Sequence, residues 1–232
     1  MLLTVIIPVF NEEKTITKLL TKVESQKYIQ KQLIIINDCS TDNSLKKIKK
    51  FKYKSNFKII SHKKNYGKGK CIITAKKYVK GDIVIIQDAD LEYNPEDYKK
   101  FINSFKNKNI LAVYGSRVLN KKRYKNKNFT STFRIFANHV LTAFSNLVNN
   151  QNLTDAHTCY KAVRKEIFRK INFFENGFAF CAEFTTKLSV LNIKIKEVPI
   201  DYTGRTFEEG KKIRLKDGIL TLIAILKYKF IL

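Results

Sequence analysis

The stretch VIIQDADLE (84–92) runs an apolar segment straight into three carboxylates, Asp88, Asp90 and Glu92. Alternate residues of an extended chain point the same way, so the spacing predicts three acids on one side. Carboxylates that close raise one another's pKa unless a cation intervenes. A hard divalent ion, Mg²⁺ or Mn²⁺, takes oxygen ligands and often binds one or two carboxylates plus substrate phosphates. The cluster points to a metal that carries a diphosphate; a solvated acidic turn is the alternative.

Three other stretches could serve the same ligand. PVFNEE (8–13) and NDCSTD (37–42) place polar side chains where a nucleoside base and ribose could sit. Helix capping by Asn11, and by Ser40 or Thr41, is the plainer reading of both. NYGKGK (65–70) sets Gly67, Lys68 and Gly69 ahead of a helix N-terminus, which can cradle phosphate. It fits neither Walker A nor G-x-G-x-x-G.

Positioning these residues falls to alternating strands and helices. Apolar runs predict strands at 2–10, 32–38, 57–62, 82–88 and 110–117. Helical spacing predicts helices over about 12–27, 40–51, 70–79 and 94–105, the last with Pro95 in its first turn. The repetition predicts an α/β fold, a mostly parallel sheet flanked by helices, with ligands beyond the carboxyl ends of its strands. The second half reads as a basic loop (121–129), an apolar helix (133–147), and loop, strand and helix start over 151–168. A helix over 180–191, a strand over 193–202 and a tail helix from Arg214 to Leu232 follow. In the tail, Leu215, Ile219, Leu222, Ile223, Leu226 and Phe230 share one face. Residues 1–213 are expected to form one domain, with 214–232 as an amphipathic appendage.

The formal charge of +25 over 232 residues suits a polyanionic partner, although lysine and asparagine enrichment also follows from genome base composition. Nucleic acid is not expected as that partner, because neither a helix-turn-helix cue nor an RNP-type aromatic run is present. The four cysteines form no C-x-x-C pair and read as ordinary thiols of a reduced, cytosolic protein. The N-terminus reads as a strand rather than a signal peptide. No apolar run reaches the roughly 18 residues that span a bilayer.

Taken together, eight stretches resemble family 2 glycosyltransferases of the GT-A fold. The likeness is to the branch holding dolichol-phosphate mannosyltransferase and bacterial polyprenyl-phosphate glycosyltransferases. In order they are TVIIPVFNEE (4–13), IINDCSTDNS (35–44), NYGKGK (65–70), DADLEYNPED (88–97), YGSR (114–117), TDAHTCYK (154–161), FAFCAEFTTKL (178–188) and EVPIDYTGRTFEEGKKI (197–213).

The resemblance implies roles. Pro8, Phe10 and Glu12 fall at nucleotide-contacting positions, and Asp38 matches an acid that holds base or ribose. Gly67 and Lys68 join the donor site. Asp88, Asp90 and Glu92 match the metal and diphosphate site; relatives often carry Gln where Glu92 stands, and Asp where Asn37 stands. Arg117, Arg134 and Arg205 match acceptor-phosphate contacts, Lys211 lies in a stretch that closes over the site, and Asp155 and Glu183 are second-half acids.

The implied reaction is inverting transfer from a nucleoside-diphosphate sugar, with UDP-glucose, UDP-N-acetylglucosamine and GDP-mannose all open. A lipid monophosphate acceptor, with a second pKa near ~6, is largely ionised at neutral pH and needs arginines to hold it rather than a base. A glycan hydroxyl acceptor would need a general base, Asp155 or Glu183. A polyprenyl phosphate acceptor implies a peripheral protein at the inner face of the membrane, meeting bilayer or membrane partner through the basic loop and the two apolar helices. Packing of both apolar stripes onto the core is the alternative.

Overall fold

The computed structural model describes residues 1–119, 129–204 and 215–231. Strands β1 (Leu2–Val9), β2 (Gln30–Asn37), β3 (Asn56–Ser61) and β4 (Ile83–Ile86) pair in parallel, and β5 (Ala112–Ser116) pairs in parallel with β7 (Ile195–Pro199). Between the two groups lies β6 (Lys161–Arg164), antiparallel to both β4 and β5. The seven-stranded order is β3-β2-β1-β4-β6-β5-β7. Two reversals across β6 leave β4 and β5 running the same way, so β1, β2, β4 and β5 all end at one edge.

The strands are apolar on both faces because both are covered. Val5, Ile7, Leu33, Ile35 and Ile85 pack under helix α1 (Ile16–Glu24) and α4 (Tyr98–Phe105). Their alternating neighbours Ile6, Ile34, Ile36, Val84 and Ile86 pack under α3 (Lys68–Lys76) and α7 (Phe180–Val190). Residues buried this fully each contribute roughly 1.5–3 kcal/mol by leaving water. Helices α2 (Ser44–Lys50), α5 (Phe129–Asn149), α6 (Lys165–Lys170) and α8 (Leu215–Phe230) complete the chain.

Several elements are shorter than their sequence pattern. Helix α1 starts at Ile16 rather than Glu12, because residues 11–13 bond to the loop after β2. That loop delays α2 to Ser44, and Asn11, Ser40 and Thr41 therefore cap neither helix. Pro95–Asp97 form a 3₁₀ turn ahead of α4.

Helix α8 settles which way its apolar stripe faces. It buries Thr221, Ala224, Ile225 and Tyr228, the last two cradled with Ala179 and Ala182 of the α7 region and partly buried Phe144 and Val148 of α5. The stripe read from the sequence faces outward instead: Ile219 is 62% and Phe230 72% exposed, with Ile223 and Leu226 also open. On α5, Phe136, Val140 and Leu147 are exposed too. For these residues the alternative of packing both stripes onto the core does not hold.

Candidate active site

The ends of β1 and β2 are laced together. Asn11, at φ +53°, accepts from Thr41 N (2.8 Å), and its own N–H donates to Ser40 Oγ (3.1 Å). Glu12 N–H donates to Ser44 Oγ (2.8 Å), and the buried Glu12 carboxylate accepts from Thr15 Oγ1. Pro8, within β1, and Phe10, just beyond it, are partly exposed at this edge. The result is a hydrogen-bonded rim where β1 and β2 end.

Asp38 is the organiser of the next loop. Its Oδ1 accepts from Tyr66 N (3.0 Å) and lies 2.6 Å from His62 Nδ1, while Oδ2 accepts from Gly67 N (2.7 Å). His62 Nε2 meets Thr74 Oγ1 of α3 at 2.9 Å, so one imidazole joins β2, β3 and α3. Cys71 Sγ lies within 4.8 Å of the Asp38 and His62 atoms. Yet 2.6 Å is a hydrogen-bond distance, shorter than the roughly 3 Å that separates two ligands held at about 2.1 Å from one ion. Burial also pushes the Cys71 thiol well up, with Asp38 adding to it. This group is a hydrogen-bonded brace.

The brace holds the loop at 65–70 through Tyr66 N and Gly67 N. Gly67 sits at φ +97°, a conformation open to glycine at little cost. Gly69 lies so close to the backbone of Glu175 and Asn176 that a Cβ would fall 2.0 Å from Glu175 O. Lys70 N donates to Asn176 O (3.1 Å). Between these anchors Lys68 opens α3 and its Nζ forms an ion pair with Asp88. The side chains are 12% and 16% exposed. Burial opposes the Lys68 charge, but Asp88 beside it holds the ammonium well above its ordinary range. Burial, with the Cys159 thiol adding to it, pushes the Asp88 carboxyl up to about 7 even against the Lys68 charge.

The acidic segment departs from its expected shape. The chain turns at Ala89–Asp90, and Leu91 adopts φ +64°. Asp88, Asp90 and Glu92 therefore do not alternate along a strand. Asp90 Oδ1 accepts from Glu92 N (3.1 Å), closing the turn, and Glu92 Oε2 accepts from Tyr202 OH (2.9 Å). Behind them Gln87, fully buried, accepts from Tyr98 OH and Tyr160 OH (2.8 and 2.7 Å). This is a built turn rather than a solvated one.

At the end of β5, Arg117 pairs with Asp155. Nε reaches Oδ2 at 2.6 Å and Nη2 reaches Oδ1 at 2.7 Å. The guanidinium lies over the Tyr202 ring, 5.1 Å from its centroid, so Tyr202 links the pair to Glu92. Glu197 accepts from Thr154 N and Asp155 N, fixing the Asp155 backbone. Glu183 is fully buried and accepts from Phe174 N (2.8 Å), Glu175 N (2.9 Å) and Lys187 Nζ (2.7 Å). It thereby holds the segment that backs Gly69.

The described structure thus brings Asp38, Gly67, Lys68 and Asp88 together, and joins Arg117 and Asp155 to Glu92 through Tyr202. Arg134 lies on α5, where its backbone alone is described, and Arg205 and Lys211 fall outside the described residues. Sequence reasoning missed His62, Gln87, Glu197 and Tyr202. Gln87 lay within the stretch 84–92 and Glu197 and Tyr202 within 197–213, whereas His62 lay in no such stretch. A cleft of about 330 Å³ opens beside Thr154, lined also by Val118, His139, Ala143 and Leu153.

The chain belongs to glycosyl transferase family 2, whose profile matches residues 4–172. It is 26% identical over 91% of its length to a dolichol-phosphate mannosyltransferase of Pyrococcus furiosus, of which it spans 59%. It is 28% identical over 97% of its length to a UDP-N-acetylglucosamine–dolichyl-phosphate N-acetylglucosaminyltransferase of Methanococcus voltae, covering 96% of that protein. A Proteus mirabilis undecaprenyl-phosphate 4-deoxy-4-formamido-L-arabinose transferase matches at 28% over 95% of this chain and 67% of that protein. The GT-A fold is shared with glucosyl-3-phosphoglycerate synthase of Mycobacterium tuberculosis, solved with Mg²⁺ and UDP: TM-score 0.70 at 16% identity, over 98% of this chain and 79% of that one. No helix among the described residues is long and apolar enough to cross a membrane.

Proposed function

We propose that the chain moves a sugar, with inversion, from a nucleoside-diphosphate donor to a polyprenyl or dolichyl phosphate at a membrane surface. The observation that carries this reading is the occupation of both acids that could serve as a general base. Asp155 is clamped by Arg117, and Glu183 by two backbone N–H groups and Lys187. A hydroxyl acceptor must lose a proton to such a base, whereas an ionised phosphate attacks without one. The named acceptors of the relatives agree, and the outward apolar faces of α5 and α8 suit a bilayer interface.

In this reading the rim of Pro8, Phe10 and Glu12 and the Asp38 brace receive the nucleoside, and Lys68 faces the diphosphate. Mg²⁺ or Mn²⁺ is proposed at the Asp88 turn, although its three carboxylates do not converge as a three-ligand group among the described residues. The donors are hard oxygens, the kind such an ion takes. Asp88, Asp90 and Glu92 would hold the ion, which would neutralise charge on the departing diphosphate. The acceptor phosphate oxygen bonds to the anomeric carbon as the bond to the diphosphate breaks, and no proton moves. Arg117, Arg134 and Arg205 are proposed to orient that phosphate, Lys211 to close over it, and the cleft beside Thr154 to take the first isoprene units.

A donor panel of UDP-glucose, UDP-N-acetylglucosamine and GDP-mannose, with Mg²⁺ or Mn²⁺ and with or without a short polyprenyl phosphate, tests the reading. Nucleoside diphosphate release that needs one donor and the lipid supports it. Release that ignores the lipid and responds to a glycan hydroxyl moves the acceptor to the alternative class.

A further inference from the structure

The backbone on both sides of Lys68 is anchored, and its ammonium is paired with Asp88. Asp38 fixes the two residues before it through Tyr66 N and Gly67 N, and Glu175 and Asn176 press on Gly69 just after it. Lys70 N is tied to Asn176 O, and Cys71 N reaches back to Gly67 O (3.3 Å). The side chain is 12% exposed and ends on Asp88, whose side chain is 16% exposed. An ammonium and a divalent ion both seek this carboxylate, and two cations against one buried acid repel each other.

We propose that Lys68 and the divalent ion compete for Asp88, so that ion and nucleoside diphosphate bind cooperatively. This rests on the donor reading given above and deepens it. An ion arriving alone displaces the ammonium and leaves it buried without its partner, a costly state. When a nucleoside diphosphate arrives too, its phosphate oxygens accept from Nζ, and the ion takes the Asp88 oxygen that Nζ leaves. Each ligand then strengthens the other by the same factor, as linkage requires. The arrangement makes Lys68 a selector against ion binding in the absence of donor.

The test is direct measurement of Mn²⁺ binding to the full chain by electron paramagnetic resonance, with no sugar acceptor, at a pH where the carboxyls are ionised. For the wild type, UDP or GDP should tighten Mn²⁺ binding by about tenfold or more, within the usual range of coupling between two ligands. Lys68→Met should tighten Mn²⁺ binding in the absence of nucleotide by several-fold and reduce the coupling to about twofold. Lys68→Gln serves the same purpose should the Met variant fail to fold, judged by circular dichroism. Variants that fold, bind Mn²⁺ no more tightly than wild type and keep the full coupling would overturn the competition. Absence of Mn²⁺ binding to wild type, with or without UDP and GDP, would overturn the metal assignment and this competition with it. Sugar transfer itself would still be judged by the donor panel.

Discussion

Arg117 and Asp155 meet at two points, 2.6 and 2.7 Å, with side chains only 8% and 2% exposed. Thirty-eight residues apart in sequence, they tie the end of β5 to the loop before β6. Removing one partner of such a pair leaves the other charge buried. Asp155→Ala should cost about 3 kcal/mol or more of stability, read as a shift of the urea midpoint. An unchanged midpoint in Asp155→Ala would show that the pair adds no stability.

Asp90→Asn should abolish transfer and leave the fold intact. Loss of a ligand worth several kcal/mol corresponds to a fall of about a hundredfold or more in kcat. The check is single-turnover transfer beside a melting curve. Full activity in the variant, or activity undiminished in EDTA, would sink the metal assignment.

His157 predicts an acid-sensitive stability. Burial, with Lys161 nearby, lowers its pKa to about 4, and its Nε2 is buried with no hydrogen-bond partner among the described residues. The unfolded chain takes up a proton near pH ~6.5 and the folded chain only near 4. The contribution is therefore complete above about 6.5 and is lost as pH falls toward 4, up to about 3 kcal/mol in all. Melting temperatures of wild type and His157→Gln, followed from pH 7 to 4, should converge; parallel curves would show that the imidazole is not buried in its neutral form.

Gly69→Ala should disturb the donor loop from behind. Its Cβ would fall 2.0 Å from Glu175 O, so backbone must move. The expected loss is about 1–3 kcal/mol of stability, with weaker nucleotide binding by calorimetry. An Ala variant indistinguishable from wild type on both counts would show that the segment at 175–176 yields freely.

Phe230→Asp should weaken attachment to anionic vesicles. The ring is 72% exposed, beside Lys227 and Lys229 on the last turn of α8. Losing the burial of one Phe in lipid removes roughly 1.5–3 kcal/mol, about tenfold or more in partitioning. Cosedimentation with vesicles reads the change; equal pelleting of both proteins would place the bilayer elsewhere.

Much of the frame was legible because parallel strands covered on both faces read as unbroken apolar runs: LLTVIIPV and IVII are buried almost throughout. Sequence spacing also placed Asn11, Asp38, Asp88 and Arg117 at one edge. The shape of the acidic turn was not legible, since nothing local announces a left-handed Leu91. Nor was the partner of Arg117, because such a pairing depends on how distant segments come together. His62 sat in an unremarkable strand end and gained its place only when β2, β3 and α3 met around it. The packing face of α8 was not legible, because the apolar stripe of the sequence stays outside and Ala224, Ile225 and Tyr228 do the packing instead.

The reversed strand β6 has a dimensional consequence. Because it pairs with β4 on one side and β5 on the other, the tips carrying Asp88 and Arg117 stand two strand spacings apart. At 4.7–4.9 Å per spacing that is a gap of roughly 10 Å. Strand β6 thus acts as a shim, setting how far the tip carrying Asp88 stands from the tip carrying Arg117, and with it the span of any ligand that would reach both.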